Sequence, residues 1–522
     1  MRVTGYDKSF IYFEASRRVG SLLGAHFIQS RKLWRVPISL EAVDELDHNG
    51  VLDDLREGLT KYRRDIDYIR NHKTITYDRL RPYQAVDAEF LKFRNAAGVF
   101  NEQRTGKTPT VLSAVKDKSK IIVVCPAGLK INWTNESAIW AEKMSMYITG
   151  SKVKRLRDYR DFGSNWDEGV LVLSYETLRN DIDEILKNIK HFDALIVDEA
   201  HRLRNYRTKQ SQAIYRIGKV ASKVYALTGT PAVNHPSDVF GILRLLNPSK
   251  YPSYWQFIDR YFVSNEGMWG REVLGLRKDR EKEFTNMLND ISTQRKRKDV
   301  MSWIPEVTRL TIPLELVGKQ ATHYKRALKE FMYGEQEIPT VLAQLTRLRQ
   351  ICDDPALLEL DGRSAKTEFI KEYINDNPDT SIIIFSSFTS YLKRLASQLE
   401  GSVLLTGEQS QAEKQAAVDA IQSGRAKVLL GNIKAAGVGF TLDSVDTIIF
   451  ADRSYNPVDN DQAADRFIPT RTDKEYGAKE IIDLVMEDSI EIGINKLLDS
   501  KQNIIQYVNS YIDNLMVDLG IK

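Results

Sequence analysis

The chain has 522 residues, with 75 Lys+Arg against 71 Asp+Glu and a formal charge of +4. That length exceeds one ordinary domain, and the near-neutral balance excludes a histone-like or acidic-tail protein while allowing charge to be segregated on one face. With 42% apolar residues, only Cys125 and Cys352 as thiols, no long apolar run and an N-terminus (MRVTGYDKSF) lacking a signal-peptide core, the expectation is a soluble, intracellular, globular protein in a reducing compartment, away from membranes.

An alternating strand at 10–14 opens the chain. A helical stretch, a second strand KLWRVPIS (32–39) and a short amphipathic helix ending at Asn49-Gly50 follow. From about residue 75 short β-branched strands alternate with polar helical segments: KIIVVCP (120–126), VLVLSYE (170–176), DALIVDEA (193–200) and VYALTGTP (224–231). Continuous apolar strands of this kind belong to parallel sheets covered by helices on both faces. Between 236 and 363 no such series occurs, and the stretch reads as helical. The series resumes with SIIIFSS (381–387), SVLLTG (402–407), KVLLGN (427–432), DTIIFAD (446–452) and EIIDLVM (480–486). The predicted fold class is α/β. A small α+β module spans 1–60, a first lobe 61–235, helical insertions and a linker 236–363, a second lobe 364–500, and a C-terminal helix 501–522.

Gly106-Lys107-Thr108 ends a phosphate-loop pattern at the start of a helix. Backbone N–H groups there cradle phosphates, the Lys107 ammonium reaches the β/γ oxygens, and the Thr108 hydroxyl ligates Mg²⁺. An ordinary helix start with an exposed lysine would share the triplet. LIVDEAHR adds Asp198 and Glu199 at the end of an apolar strand, where one carboxylate holds Mg²⁺ and its neighbour orients the attacking water. The pair together predicts an NTPase.

RTGKT (104–108), DEAHRLRN (198–205) and LTGTPAVN (227–234) resemble motifs I, II and III of superfamily 2 helicases, nearest the Snf-type DNA translocases. In order along the chain, LRPYQ (80–84) is similar to the adenine-sensing Q-type motif, CPAGLKINW (125–133) to motif Ia and LSYETL (173–178) to motif Ib. LLNPSKY (245–251), RKRKDV (295–300) and LTRLRQICDDPALL (345–358) resemble the helical insertions of this branch. In the second lobe, IIIFSSFTSYLKRL (382–395) is similar to motif IV, NIKAAGVGFTL (432–442) to motif V, and DRSYNPVDNDQAADR (452–466) to the approach to motif VI. The resemblance spans about residues 75–500 and implies two RecA-like lobes, the helicase ATP-binding and helicase C-terminal halves.

The resemblance also implies site residues. Arg81, Gln84, Thr105, Gly106, Lys107, Thr108, Gly437 and Gly439 would bind ATP. Lys107, Asp198, Glu199, Arg466 and Arg471 would carry the chemistry, with Thr108 and Asp198 on Mg²⁺. Motif VI departs from the family at Pro469, where a second arginine is usual, so its load is expected to be shared between Arg466 and Arg471. A second departure is Asn101 and Arg104 in the phosphate loop, where the family more often has Asp and Gly. Ser174, Ser386, Ser387, Thr406 and Asn432 stand at strand ends and are expected to touch DNA phosphates. The basic run QRKRKDV (294–300) reads equally as a solvated face, a DNA contact or a lobe-docking element. The N-terminal unit resembles a HARP-like module, with Arg17, Arg18, Arg31, Lys32 and Arg35 as a basic face and Trp34 as a core residue before a base-stacking one.

The implied activity is ATP-dependent movement on duplex, forked or branched DNA, as a monomer, in replication, recombination or repair, alongside proteins of those processes. The alternatives are an RNA helicase, a DNA-binding subunit of a defence or restriction system, and a scaffold on a decayed ATPase fold.

Overall fold

A computed structural model describes residues 2–6, 10–14, 26–29, 32–37, 79–232, 235–267, 270–333, 341–436, 440–469 and 476–500. The chain divides into two compact units, Met1–Val300 and Met301–Lys522.

Near the N-terminus, β1 (Arg2–Tyr6), β2 (Phe10–Glu14), β3 (His26–Ile28) and β4 (Leu33–Pro37) form an antiparallel sheet in the order β1-β2-β4-β3. The expected strands at 10–14 and near 32–39 are present, and two more flank them. Trp34 is buried and packs against Phe27 with ring centroids 5.2 Å apart, which fits the core reading of that side chain. Arg17, Arg18, Arg31, the helix expected after Ser39 and the C-terminal helix expected at 501–522 lie outside the described residues.

The rest of the first unit is built on a parallel sheet. Its strands are β5 (Ala96–Val99), β6 (Lys120–Cys125), β7 (Ser145–Tyr147), β8 (Gly169–Ser174), β9 (Ala194–Val197) and β10 (Lys223–Leu227). An antiparallel hairpin of β11 (Phe262–Gly267) and β12 (Gly270–Leu276) precedes the short β13 (Ser292–Thr293), which joins the sheet. The order is β13-β5-β10-β9-β6-β8-β7. Alternate side chains divide cleanly between the faces, as period-2 geometry requires. Ile122, Val124, Leu171, Leu173, Leu195 and Val197 face helices Tyr175–Asn188 and Lys209–Gly218. Ile121, Val123, Cys125, Val170, Val172 and Ile196 face helices Pro82–Phe93 and Lys107–Ala114.

The second unit repeats the plan. β14 (Val307–Leu314), β15 (Ile382–Ser386), β16 (Val403–Leu405), β17 (Val428–Asn432), β18 (Thr447–Phe450) and β19 (Lys479–Met486) pair in parallel in the order β14-β19-β18-β15-β17-β16. Ile383, Phe385, Leu429, Ile448 and Phe450 cover one face, and Ile382, Ile384, Leu430 and Ile449 the other. Helices Gly318–Tyr333, Val341–Asp353 and Ile490–Ser500 share a further core around Tyr324, Leu348, Cys352 and Met486. Segment 236–363 thus contains more strand than its sequence pattern predicts, because β14 presents mostly exposed side chains and lacks the buried apolar signature. Among the described residues no helix is long and apolar enough to cross a membrane.

Candidate nucleotide site

In parallel α/β sheets, ligands are held beyond the carboxyl ends of the strands. Here β5 runs into the phosphate loop, β9 into Asp198-Glu199 and β10 into Thr228, and these strands are neighbours in the order β5-β10-β9. Three segments far apart in sequence therefore meet at one sheet edge.

The loop is held from below. Tyr83 Oη and Gln84 Nε2 both donate to the Thr105 carbonyl, at 2.8 and 3.0 Å, and the Thr105 hydroxyl donates to the Glu102 carbonyl at 2.7 Å. Gln84 also accepts from the Arg81 amide at 2.9 Å through its Oε1, satisfying a backbone donor at the head of its helix. Gly106 has φ +80, and a Cβ there would lie 2.0 Å from Gln84 Nε2, so glycine is required by both the backbone and the space. Lys107 Nζ donates to the carbonyls of Asn101 and Glu102 at 3.0 and 3.1 Å. Thr108 is half-buried in the first turn of helix Lys107–Ala114, and the start of a helix is a place that suits an anion.

Asp198 is held at both oxygens. The Trp133 indole donates to Oδ2 and the Glu199 amide to Oδ1, each at 2.9 Å. Burial, reinforced by the Glu199 charge, pushes the Asp198 carboxyl up to about 6 against the pull of the Trp133 indole and the Lys107 ammonium. Lys107 thus acts electrostatically on Asp198, although the two lie on separate loops. Glu199 sits at φ +50, a left-handed conformation that costs energy for a non-glycine residue. The buried Tyr175 hydroxyl supports this turn, donating to the Asp198 carbonyl at 2.5 Å with the Glu199 carbonyl at 3.3 Å. His201 Nδ1 lies 3.2 Å from both Glu199 Oε2 and Thr228 Oγ1, linking the carboxylate turn to the loop after β10. Hard oxygens at Thr108 and Asp198 suit Mg²⁺, which keeps several waters and takes few protein ligands.

Five of the side chains in this arrangement are not marked as site residues by the sequence: Tyr83, Trp133, Tyr175, His201 and Thr228. All lie inside motif segments, yet none carries a charge pattern that marks it. Tyr175→Phe removes only the hydroxyl beneath the left-handed turn. Its expected cost is about 1–3 kcal/mol for the orphaned carbonyl, with a lowered turnover at saturating ATP. A variant with the parent's turnover would show that the turn holds without this bond.

The expected phosphate contacts fare differently. Ser386 is fully buried and its hydroxyl donates to Asp452. Ser174 is buried as the cap of helix Tyr175–Asn188, accepting from the Thr177 amide at 3.1 Å. Thr406 is buried, with its amide donating to Gln409 at 2.7 Å. The Ser174 and Ser386 hydroxyls are thus engaged by neighbouring protein groups in capping and packing, while Thr406 is buried with its amide bonded. Ser387 and Asn432 are half-buried; the Ser387 amide donates to Asp452 at 3.0 Å and Asn432 Nδ2 to the Ser387 carbonyl at 3.1 Å. Arg466 is half-buried, with Nη1 3.4 Å from the Phe440 carbonyl, in a short turn that ends before the buried Pro469. Gly437, Gly439 and Arg471 lie outside the described residues.

A phosphate loop and an acidic pair, at the carboxyl ends of two strands separated by one strand of a parallel sheet, with a second parallel α/β unit in the same chain, define an NTPase fold of the helicase class. The sequence matches the SNF2-related domain over residues 36–357 and the helicase conserved C-terminal domain over residues 365–468, and the chain belongs to the SNF2-related family. YwqA of Bacillus subtilis (strain 168) is 26% identical over 462 residues, which cover 81% of this chain and 48% of YwqA. The DNA annealing helicase and endonuclease ZRANB3 of Homo sapiens is 24% identical over 416 residues, covering 74% of this chain and 37% of ZRANB3. The chain spans about half the length of YwqA and less of ZRANB3. Among solved structures, the Sulfolobus solfataricus SWI2/SNF2 ATPase core in complex with dsDNA is 24% identical and covers 82% of this chain and 92% of its own, with a TM-score of 0.39.

Proposed function

We propose that this chain is an ATP-dependent DNA translocase or helicase of the Snf type, which couples ATP hydrolysis to movement on duplex, forked or branched DNA in replication, recombination or repair. One observation carries the reading: Lys107, Asp198 and the Glu199 turn lie beyond the carboxyl ends of β5 and β9, which flank β10, each held by a dedicated hydrogen bond. Lys107 neutralises the β/γ phosphates, and Glu199 orients and deprotonates the attacking water, with His201 steadying its carboxylate. Arg81 and Gln84 are the proposed contacts to the base, and Thr105, Gly106 and Thr108 those that wrap the phosphates. Thr108 and Asp198 would hold Mg²⁺, which would supply further charge neutralisation. Arg466, Arg471, Gly437 and Gly439 complete the proposed nucleotide set, and Ser174, Ser386, Ser387, Thr406 and Asn432 are the proposed positions facing DNA phosphates, with Ser387 and Asn432 the more exposed of them.

The test is ATP hydrolysis against single-stranded, duplex, forked and RNA substrates. Duplex or forked DNA should stimulate it most, independently of base sequence, and the effect should fall steeply with salt because backbone contacts release counterions. Stimulation by RNA alone would favour an RNA helicase, and strong sequence preference a site-specific binder.

A further inference from the structure

The basic run 294–300 resembled a DNA contact or docking element, yet its first half is bound into the phosphate-loop strand. β13 pairs with β5 through Ser292–Gly98 and Thr293–Val99. Past the strand end the pairing continues: the Phe100 amide donates to the Thr293 carbonyl at 2.8 Å and the Glu102 amide to the Arg295 carbonyl at 2.9 Å. The Arg297 amide then donates to Glu102 Oε2 at 2.8 Å. Six residues, Ser292 to Arg297, therefore line the lead-in to the loop, three of them basic.

The side chains extend this brace. Arg295 grips Asp87 through Nη2 at 2.7 Å and Nε at 3.1 Å. Asp87 is fully buried, on helix Pro82–Phe93, and its other oxygen accepts from Asn101 Nδ2 at 2.8 Å. The Asn101 carbonyl in turn receives Lys107 Nζ. An Arg295–Asp87–Asn101–Lys107 chain results, and it accounts for Asn101: where the family more often has an aspartate at this place, Asp87 supplies the carboxylate and Asn101 needs only to donate. A buried carboxylate of this kind persists only when paired and hydrogen-bonded.

We propose that Arg295 is a positioning residue for the phosphate loop, fixing through Asp87 and Asn101 the place from which Lys107 meets the nucleotide. The proposal rests on the reading of this loop as the ATP site. It assigns Arg295 to nucleotide affinity and not to DNA.

The experiment uses the full chain and a fluorescent ATP analogue, with binding measured in the absence of DNA and steady-state hydrolysis measured in its presence. Arg295→Ala should weaken analogue binding and raise KM by about tenfold, with a smaller change in kcat, since a displaced loop loses ground-state contacts before chemistry. Arg295→Lys should recover part of the loss, and Asp87→Asn should reproduce it. The double variant should be no worse than either single one, because both break one chain. Lys298→Ala, an exposed neighbour in the run, should bind the analogue like the parent. Parent-like analogue binding by Arg295→Ala or Asp87→Asn, or a loss of DNA affinity alone, overturns the proposal. A parent protein that binds no ATP analogue overturns the ATP-site reading itself, and is seen before any variant is made.

Discussion

Glu199→Gln should bind ATP normally and hydrolyse it about 10²–10⁴ times more slowly, the range that a positioned general base contributes. The substitution keeps the shape of the side chain and its left-handed backbone but removes the proton acceptor. Tyr175 and the Asp198 carbonyl should therefore hold the turn as before. Lys107→Ala should also abolish hydrolysis, by a different route, because the loop loses the cation that offsets phosphate charge and nucleotide affinity falls with it. Measuring analogue binding and turnover together separates the two. Near-normal hydrolysis by the Glu199→Gln protein would remove Glu199 from the role of base.

Lys366→Ala should be the most damaging single change to the fold of the second unit. Lys366 is completely buried, and its ammonium donates to Asp353 at 2.8 Å, Glu491 at 2.7 Å and the Ala451 carbonyl at 2.6 Å. Burial opposes the charge, but the two carboxylates hold the ammonium protonated well above its ordinary range, while burial pushes Asp353 up. Removing the cation strands two buried acids, and breaking such a pair costs about 3–5 kcal/mol. At about 2–4 °C per kcal/mol for a domain of this size, the Tm should fall by roughly 10 °C. Lys393→Ala, which breaks an exposed pair with Glu408, should cost less than about 1 kcal/mol. Equal melting of the two variants would mean that the buried cluster contributes no more than a surface pair.

The strands β6, β8, β9, β10, β15, β17, β18 and β19 are legible because each is a short, mostly apolar run buried on both faces, which few other arrangements produce. β14 was not, because VTRLTIPL puts Arg309 and other exposed side chains along an edge strand, and β13 is only two residues long. The same division runs through the nucleotide site. Lys107, Asp198 and Glu199 stand in local patterns whose spacing carries the chemistry. Trp133 reaches Asp198 across 65 positions and Arg295 reaches Asp87 across 208, and no local spacing records a contact made by tertiary packing. Ser174 and Ser386 fall on the other side of that line. A hydroxyl at a strand end looks the same in sequence whether it faces a ligand or caps a helix, and here both face inward.

The pairing of β14 with β19 bears on how such a protein is inherited and cut apart. All eight residues of β14 lie alongside β19, from Val307–Lys479 to Leu314–Met486. The helix Val341–Asp353 carries Arg349, whose guanidinium meets Asp452 at 2.6 Å, and Asp353, the partner of Lys366. A piece excised at residue 364 would leave β19 with a bare edge, Asp452 without its guanidinium and Lys366 with one carboxylate in place of two, a surface inviting aggregation. The movable part is instead the whole of Met301 onward. Any ancestral fusion or modern truncation that respects this fold has to break the chain in the few residues before β14, just after the basic brace.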